Sequence, residues 1–339
     1  MASQHSAQEQ PSWPVVLLHN MDSSWTAEEA REVERHVSTM AEALRSQGHS
    51  VETVPVRRDI GGKLLKFDAQ HHVVFNWCEG LDGIPNSYHL IPPALEQLTF
   101  AYTGSTARTL QMTQSKVATK LILERMCIPT PRWSAYAGPD DVEKWTVFPA
   151  IVKPAGEHCS FGITDGAVVT NRHQLRERVA YVTQTYGGQA LVEDFIDGRE
   201  FNISIWGNGQ PVPLPLYEID FSGIPDHLHR LVDYDAKWTI GSFAYEHTVS
   251  RCPAQVEQAV AQRILGAAMA AYKALELRDY GRIDIRVCDG QPYVLDVNSN
   301  PDITSDGGFA RTAAVAGYDY GTMASHIVSL AAHRLPLPT

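Results

Sequence analysis

The sequence predicts a chain of two or three domains, α/β at its N-terminal end and α+β toward its C-terminal end. Three observations carry this. Short apolar runs alternate with helical patterns over the first hundred residues. The segment 281–301 alternates polar and apolar residues around Asp289-Gly290, as a β-hairpin does. And 339 residues exceed what one compact core usually holds.

Residues 15–18 read as a short buried strand. Residues 27–47 read as an amphipathic helix with Val33, Val37, Met40 and Leu44 on one face, stopped by Gly48. Strands at 51–56 and 72–77 follow, then a helix over 88–98 that contains Pro92 and Pro93. The alternation predicts a small parallel α/β domain, 14–105. A helix is expected over 113–126, capped by Thr113 or Ser115, before Pro129 and Pro131 break the chain. A strand at 150–153, a loop at 155–162, a strand at 166–169 and a helix at 173–186 capped by Asn171 complete a second unit, 106–188, closed by Gly187-Gly188. The third, 189–335, holds strands at 191–194, 200–206 and 213–218. A long helix opened by Pro253, the hairpin and a helix over 323–333 complete it.

Composition narrows the function. Hydrophobic residues at 44% and charged residues at 20% are ordinary for a globular protein. The net charge of −11 and the lack of a Lys/Arg cluster argue against nucleic acid as a partner. Five scattered cysteines without C-x-x-C spacing favour reduced thiols and a cytoplasmic location. The polar residues 1–14 read as a disordered lead-in rather than a signal peptide. No run is long and apolar enough to span a bilayer, so no membrane partner is expected.

The hairpin carries the chemistry. Asp284 lies on its first strand, Asp296 and Asn298 on its second, with apolar residues between. Oxygen ligands of this kind suit Mg²⁺ bound together with phosphates. Register tests the idea. A regular two-residue turn on Asp289-Gly290 pairs Asp284 with Leu295 and sends Asp296 to the wrong face. A three-residue turn, or a bulge, pairs Asp284 with Asp296 and Arg282 with Asn298. The alternative is an ordinary solvated hairpin face.

Other segments share one pattern: Ala-Tyr-Thr-Gly-Ser at 101–105, a helix through Lys116, and Ile-Val-Lys-Pro-Ala at 151–155 with Ser-Phe-Gly-Ile at 160–163. Leu-Val-Glu-Asp-Phe-Ile-Asp-Gly-Arg-Glu-Phe at 191–201, Tyr-Asp-Ala-Lys-Trp at 234–238 and the hairpin complete it. In this order they resemble the ATP-grasp superfamily, in its D-alanine–D-alanine ligase-like branch, over about residues 15 to 330. The resemblance implies an N-terminal α/β domain and two further domains clasping ATP between antiparallel sheets. It implies ATP-dependent joining of a carboxylate to an amine through an acylphosphate, with Mg²⁺, for which Mn²⁺ can substitute. The substrates would be small amino-acid or carboxylate molecules. The family is often dimeric, so a homodimer is expected.

The resemblance also implies roles. Lys116, Lys153 and Lys237 would meet the phosphates, with Ser160 in the covering flap. Glu193, Phe195 and Ile196 would mark the strand where adenine docks, and Glu200 would face the ribose. Asp284, Asp296 and Asn298 would hold the metal, and Arg282 would offset the oxyanion of the tetrahedral intermediate.

The chain also departs from the pattern. Strand one leads into His19-Asn20-Met21-Asp22-Ser23-Ser24, without the glycine-rich turn and glutamate that anchor the first substrate in that branch. Asp22, Glu28 or Glu79 could replace the anchor; a solvated surface role is the alternative for each. Cys159 and Trp238 stand where those ligases tend to have a serine and a tyrosine, and Asp302, Gly307 and Gly308 where they grip the second substrate. These changes point away from D-alanine on both sides. Trp25, Trp77, Trp238, His227 and His229 could shape a pocket for a larger amino acid. The alternatives from other classes are an ATP-grasp small-molecule kinase and a nucleotide-binding module without catalysis.

Overall fold

The structure, a computed structural model, describes residues 11–157, 160–225, 227–233, 239 and 241–335, apart from the side chain of Asp165. Lys237, Trp238 and Cys159 lie outside the described residues.

The N-terminal strands β1 (Pro14–Asn20), β2 (Ser50–Val56), β3 (Val73–Trp77) and β4 (Ala101–Tyr102) form a parallel sheet in the order β2-β1-β3-β4. Alternate residues of β1 serve opposite faces. Val15 and Leu17 pack with Val73 and Phe75 against the helices Ala27–Ser46 and Tyr320–Ala332. Val16 and Leu18 pack with Val74, Ile91 and Leu95 on the other side. The helix Ala27–Ser46 starts in a capping box, with Thr26 Oγ1 accepting from Glu29 N and Glu29 Oε2 accepting from Thr26 N. The C-terminal helix crosses it closely at Gly321, where a Cβ would lie 3.0 Å from Ala43 O.

The expected helix over 88–98 is a 3₁₀ turn, Tyr88–Leu90, followed by an α-helix, Ile91–Gln97. Pro92 and Pro93 fall in its first turn, where a missing N–H costs nothing. The expected helix over 113–126 is two helices, Ala107–Gln114 and Lys116–Arg125. Ser115 breaks them with extended backbone and caps the second, its hydroxyl accepting from Ala118 N at 3.2 Å. This break sets Lys116 at a helix start. The long helix begins at Gln258, not near Pro253, and runs to Ala274.

The central unit is an antiparallel sheet, β5-β8-β6-β7, of β5 (Trp133–Tyr136), β6 (Ala150–Pro154), β7 (Val168–Val169) and β8 (Ala190–Asp194), covered by the helix Arg172–Tyr186. The C-terminal sheet runs β12-β11-β9-β13-β14, with β10 (Val212–Pro213) on β9. Its strands are β9 (Arg199–Trp206), β11 (Tyr217–Asp220), β12 (Val249–Arg251), β13 (Tyr280–Cys288) and β14 (Gln291–Asn298). The expected strand over 213–218 is divided between β10 and β11.

The hairpin β13–β14 solves its register problem with the short turn and a bulge. Cys288 pairs with Gln291, so Asp289 and Gly290 alone make the turn, at φ 50° and 72°. Ile285 pairs with Val294, but Asp284 pairs with Asp296, so Leu295 is the extra residue. The bulge puts Arg282, Asp284, Asp296 and Asn298 on one face. The other face buries Ile283, Ile285, Val294 and Val297 under the helix Gln258–Ala274.

Asp279, fully buried, joins the N-terminal sheet to this one. Its carboxylate accepts from Gly104 N at 2.9 Å, Asn208 Nδ2 at 2.8 Å, and Arg334 Nη1 and Nη2 at 2.8 and 2.6 Å. Its backbone sits at φ 63°, a conformation aspartate tolerates better than most residues. Asp279→Ala should cost about 3–5 kcal/mol by leaving Arg334 and Gly104 N without their acceptor. Denaturant unfolding measures this; an unchanged midpoint would contradict the role.

Candidate active site

The helix Lys116–Arg125, the central sheet and the polar face of the C-terminal sheet converge on one cleft. Lys116 is the first residue of its helix, and its backbone N–H donates to Ala155 O at 3.0 Å. Its ammonium donates to Glu157 O in the flap and lies 3.7 Å from Asp296 Oδ2. Lys153, near the end of β6, reaches Glu193 Oε2 at 2.7 Å. The other oxygen of Glu193 pairs with Lys120, a residue the sequence reading passed over.

Glu193 is 1% exposed, and so is Lys120. Burial alone would push the Glu193 carboxyl up, but the Lys120 and Lys153 charges outweigh it and hold the group below its ordinary value. Burial lowers Lys120 in turn, opposed by Glu193. Glu193 lies on β8 between β5 and β6, opposite both Trp133 and Ile151, so its backbone is engaged in the sheet. Of the residues expected at the adenine, Glu193 is thus held within the sheet, and Phe195 and Ile196 follow the end of its strand. Phe195 packs with Ile151, Ile163, Ala167, Val168 and Leu231 in a small apolar cluster. Phe195 N–H donates to Pro149 O, and Ile196 O accepts from Arg286 Nη1 at 2.8 Å.

Glu200, placed by the resemblance at the ribose, holds Arg286 through Oε2 at 2.9 Å, the two being cross-strand partners. Arg286 is buried, lies over the Phe195 and Phe221 rings and donates to Arg230 O. His229 packs against Phe195 in an edge arrangement, with ring centroids 5.4 Å apart. Ser160, at φ 63°, donates its hydroxyl to Val232 O at 3.0 Å and so ties the flap to the loop before the undescribed stretch 234–238. Gly162 at φ 75° leaves no room for a Cβ, which would lie 2.7 Å from Pro154 Cγ.

On the hairpin face, Arg282 forks onto Asp284, Nε to Oδ1 at 2.7 Å and Nη2 to Oδ2 at 3.0 Å. Asn202 Nδ2 donates to Oδ1 and Asn298 Nδ2 to Oδ2. Arg282 therefore sits beside the expected metal ligands rather than reaching outward. Burial opposes its charge, but Asp284, then Asp296 and Asp302, outweigh it and push its pKa up. The donor set fits a hard cation: two carboxylates opposite one another, and an amide that gives its nitrogen to Asp284 and keeps its oxygen as an acceptor.

The expected substrate residues divide. Asp22 is engaged in its own loop, accepting from Ser24 N and Oγ and from Gly83 N. Glu79 stands at the rim, exposed on one side. The protein enclosing its other sides pushes its carboxyl up, and the charge of Asp302 adds to this. Gly307 precedes the helix Gly308–Val315, and a Cβ on it would lie 2.9 Å from Asp302 Oδ2.

Lys120, Asn202 and Arg286 were legible in spacing. Lys120 is one helical turn from Lys116. Asn202 follows Glu200, and Arg286 follows Asp284, at the strand period of two.

Comparison with known proteins agrees with this arrangement. The family described as D-ala D-ala ligase C-terminus matches residues 128–329. A D-alanine–D-alanine ligase of Methylococcus capsulatus is 31% identical over 85% of this chain and 87% of its own length. The chain belongs to the D-alanine–D-alanine ligase family. An uncharacterized protein of Sinorhizobium fredii, y4sG, is 32% identical over 77% of this chain and 75% of its own length. The fold matches the D-alanine–D-alanine ligase of Bacillus anthracis complexed with ATP, with a TM-score of 0.71 at 20% identity, covering 95% of this chain and 98% of that one. Membership in the D-alanine–D-alanine ligase family and the ATP-grasp fold make the protein a carbon–nitrogen ligase that uses ATP and Mg²⁺.

The Glu193 ion pairs predict a pH dependence. The folded pKa is lowered from 4.5, so the pairs contribute stability fully above that pH and lose it as pH falls through the folded value. Glu193→Gln should be destabilised by about 3–5 kcal/mol near neutrality. That gap should narrow as pH falls below 4.5 and through the lowered folded value, where wild-type Glu193 becomes protonated as well. Unfolding curves across this range check it; a gap independent of pH would contradict the assignment.

Proposed function

We propose that the protein joins two amino-acid-like substrates in an amide or dipeptide bond through an acylphosphate, releasing ADP and phosphate, and that D-alanine does not fill both substrate positions. The observation that carries this is the bulged hairpin face, where Arg282, Asp284, Asp296 and Asn298 lie together beside the lysines of the cleft. Asp284, Asp296 and Asn298 would hold Mg²⁺, which when bound neutralises phosphate charge. Lys116 and Lys153 supply fixed positive charge, and Lys237 is proposed as a third such group. The Phe195 cluster, with Ile196, covers the base, while Glu200 and its partner Arg286 border the ribose side. Ser160 holds the flap to the neighbouring loop, which excludes water from the cleft. Arg282 offsets charge that develops on the carbonyl oxygen.

Substrate choice is assigned to the rim. Asp22 is held by its own loop, which leaves Glu79 as the better anchor for an ammonium. Burial and the charge of Asp302 raise the cost of ionising Glu79, and a cationic amino group beside it relieves that cost. Gly307 and Gly308, at the start of the next helix, border the second substrate. The scattered free thiols, such as Cys78 and Cys127, support a cytoplasmic setting, and a homodimer is the proposed assembly.

A panel of amino acids and carboxylates, assayed for ADP with mass spectrometry of products, should show ADP release only with a productive pair. A stable phosphorylated product without coupling would replace the ligase reading with a kinase. Asp296→Ala should abolish turnover, by about a thousandfold or more, while measurable nucleotide binding persists. Unchanged turnover would sink the metal assignment.

A further inference from the structure

Lys116 and Lys120 lie one turn apart on the same side of one helix, yet their surroundings differ. Lys116 lies between the flap and Asp296. Lys120 is 1% exposed, and its ammonium is surrounded by protein partners. It pairs with the charge of Glu193 Oε1 and donates to Thr130 Oγ1 at 2.6 Å and to Val294 O at 3.2 Å. An ammonium enclosed by these partners and sealed from solvent does not reach a ligand. Its effect must pass through its partners.

We propose that Lys120 is a positioning residue for nucleotide phosphates: by neutralising Glu193 from within, it leaves the positive charge of Lys153 uncompensated and facing the cleft. The proposal rests on the ATP-site reading above. Two ammonium groups share one carboxylate, each on its own oxygen, so the cluster carries one net positive charge. Without Lys120, Lys153 becomes the sole counter-ion of a buried carboxylate at 2.7 Å, and the cluster becomes neutral. An anion then meets a charge already satisfied from behind. Lys120 also fixes geometry. It and Thr130 both donate to Val294 O, on the bulged strand two residues before Asp296. Helix, central sheet and metal hairpin thus meet at one ammonium.

The test compares ADP with adenosine, which lacks phosphates, by calorimetry without turnover. Lys120→Met keeps length and removes charge. It should weaken ADP about tenfold or more while leaving adenosine affinity within about threefold. Lys120→Met/Glu193→Gln removes the carboxylate as well, frees Lys153 again and should restore most of the ADP preference. Equal losses for ADP and adenosine, or no recovery in the double variant, would mean a merely structural role and overturn the proposal. Where Lys120→Met does not fold, the double variant decides: an ADP preference close to wild type supports the proposal, and a tenfold loss overturns it. Wild-type protein that binds ADP no better than adenosine would overturn the nucleotide reading and this one with it. A wild-type preference retained in full by Lys120→Met would overturn this one alone.

Discussion

One buried carboxylate organises the cleft. Glu193 lies in the middle of the central sheet with almost no solvent, and its charge survives there because lysines from two directions meet it. One comes from the neighbouring strand and one from the helix that precedes the sheet. An ionised group in that position must be paired, so the helix, β6 and β8 cannot shift independently without exposing a charge to apolar surroundings. The same Lys120 reaches β14, and the constraint therefore extends to the hairpin that carries the proposed metal ligands.

The polar face of the C-terminal sheet follows the same rule. Arg282 forks onto Asp284, Arg286 donates to one oxygen of Glu200, and Lys116 lies near Asp296, so each of these acidic groups already has an internal cation. These pairs fix side chains that would otherwise be mobile, and fixed charges are what a site for developing negative charge requires. Asp279 performs the corresponding task between domains. Its four acceptor contacts lock the end of the N-terminal sheet, the C-terminal sheet and Arg334, two residues beyond the last helix, into one frame.

Much of the fold was legible locally. The period-two alternation of the hairpin gave the shared face, and the Asn171 cap marked a helix start. Legibility failed where a local signal had two structural answers. Ser115 reads as a helix residue or a cap, and only packing against the flap loop selects the break that sets Lys116 at the cleft. Pro253 reads as a helix opener, but the chain there remains extended beside β11, with Ala254 N–H donating to Leu216 O. The hairpin could reach its register by a longer turn or by a bulge, since both satisfy the same pairing. Leu295 settled it, because one extra residue there keeps Val294 and Val297 in the core.

The sequence by itself determined the chemistry available: lysines, oxygen ligands and an arginine at spacings that strands and helices turn into faces. That follows because side-chain direction along a regular element is a local property. Tertiary structure alone decided which charges meet. Glu193 finds Lys120 across 73 residues of chain only when the helix packs on the sheet. Asp22 is lost to its own loop for the same reason, its acceptors being filled by Ser24 and by Gly83 from a distant turn. Pairing between distant groups depends on burial and approach, and neither is encoded at any single position.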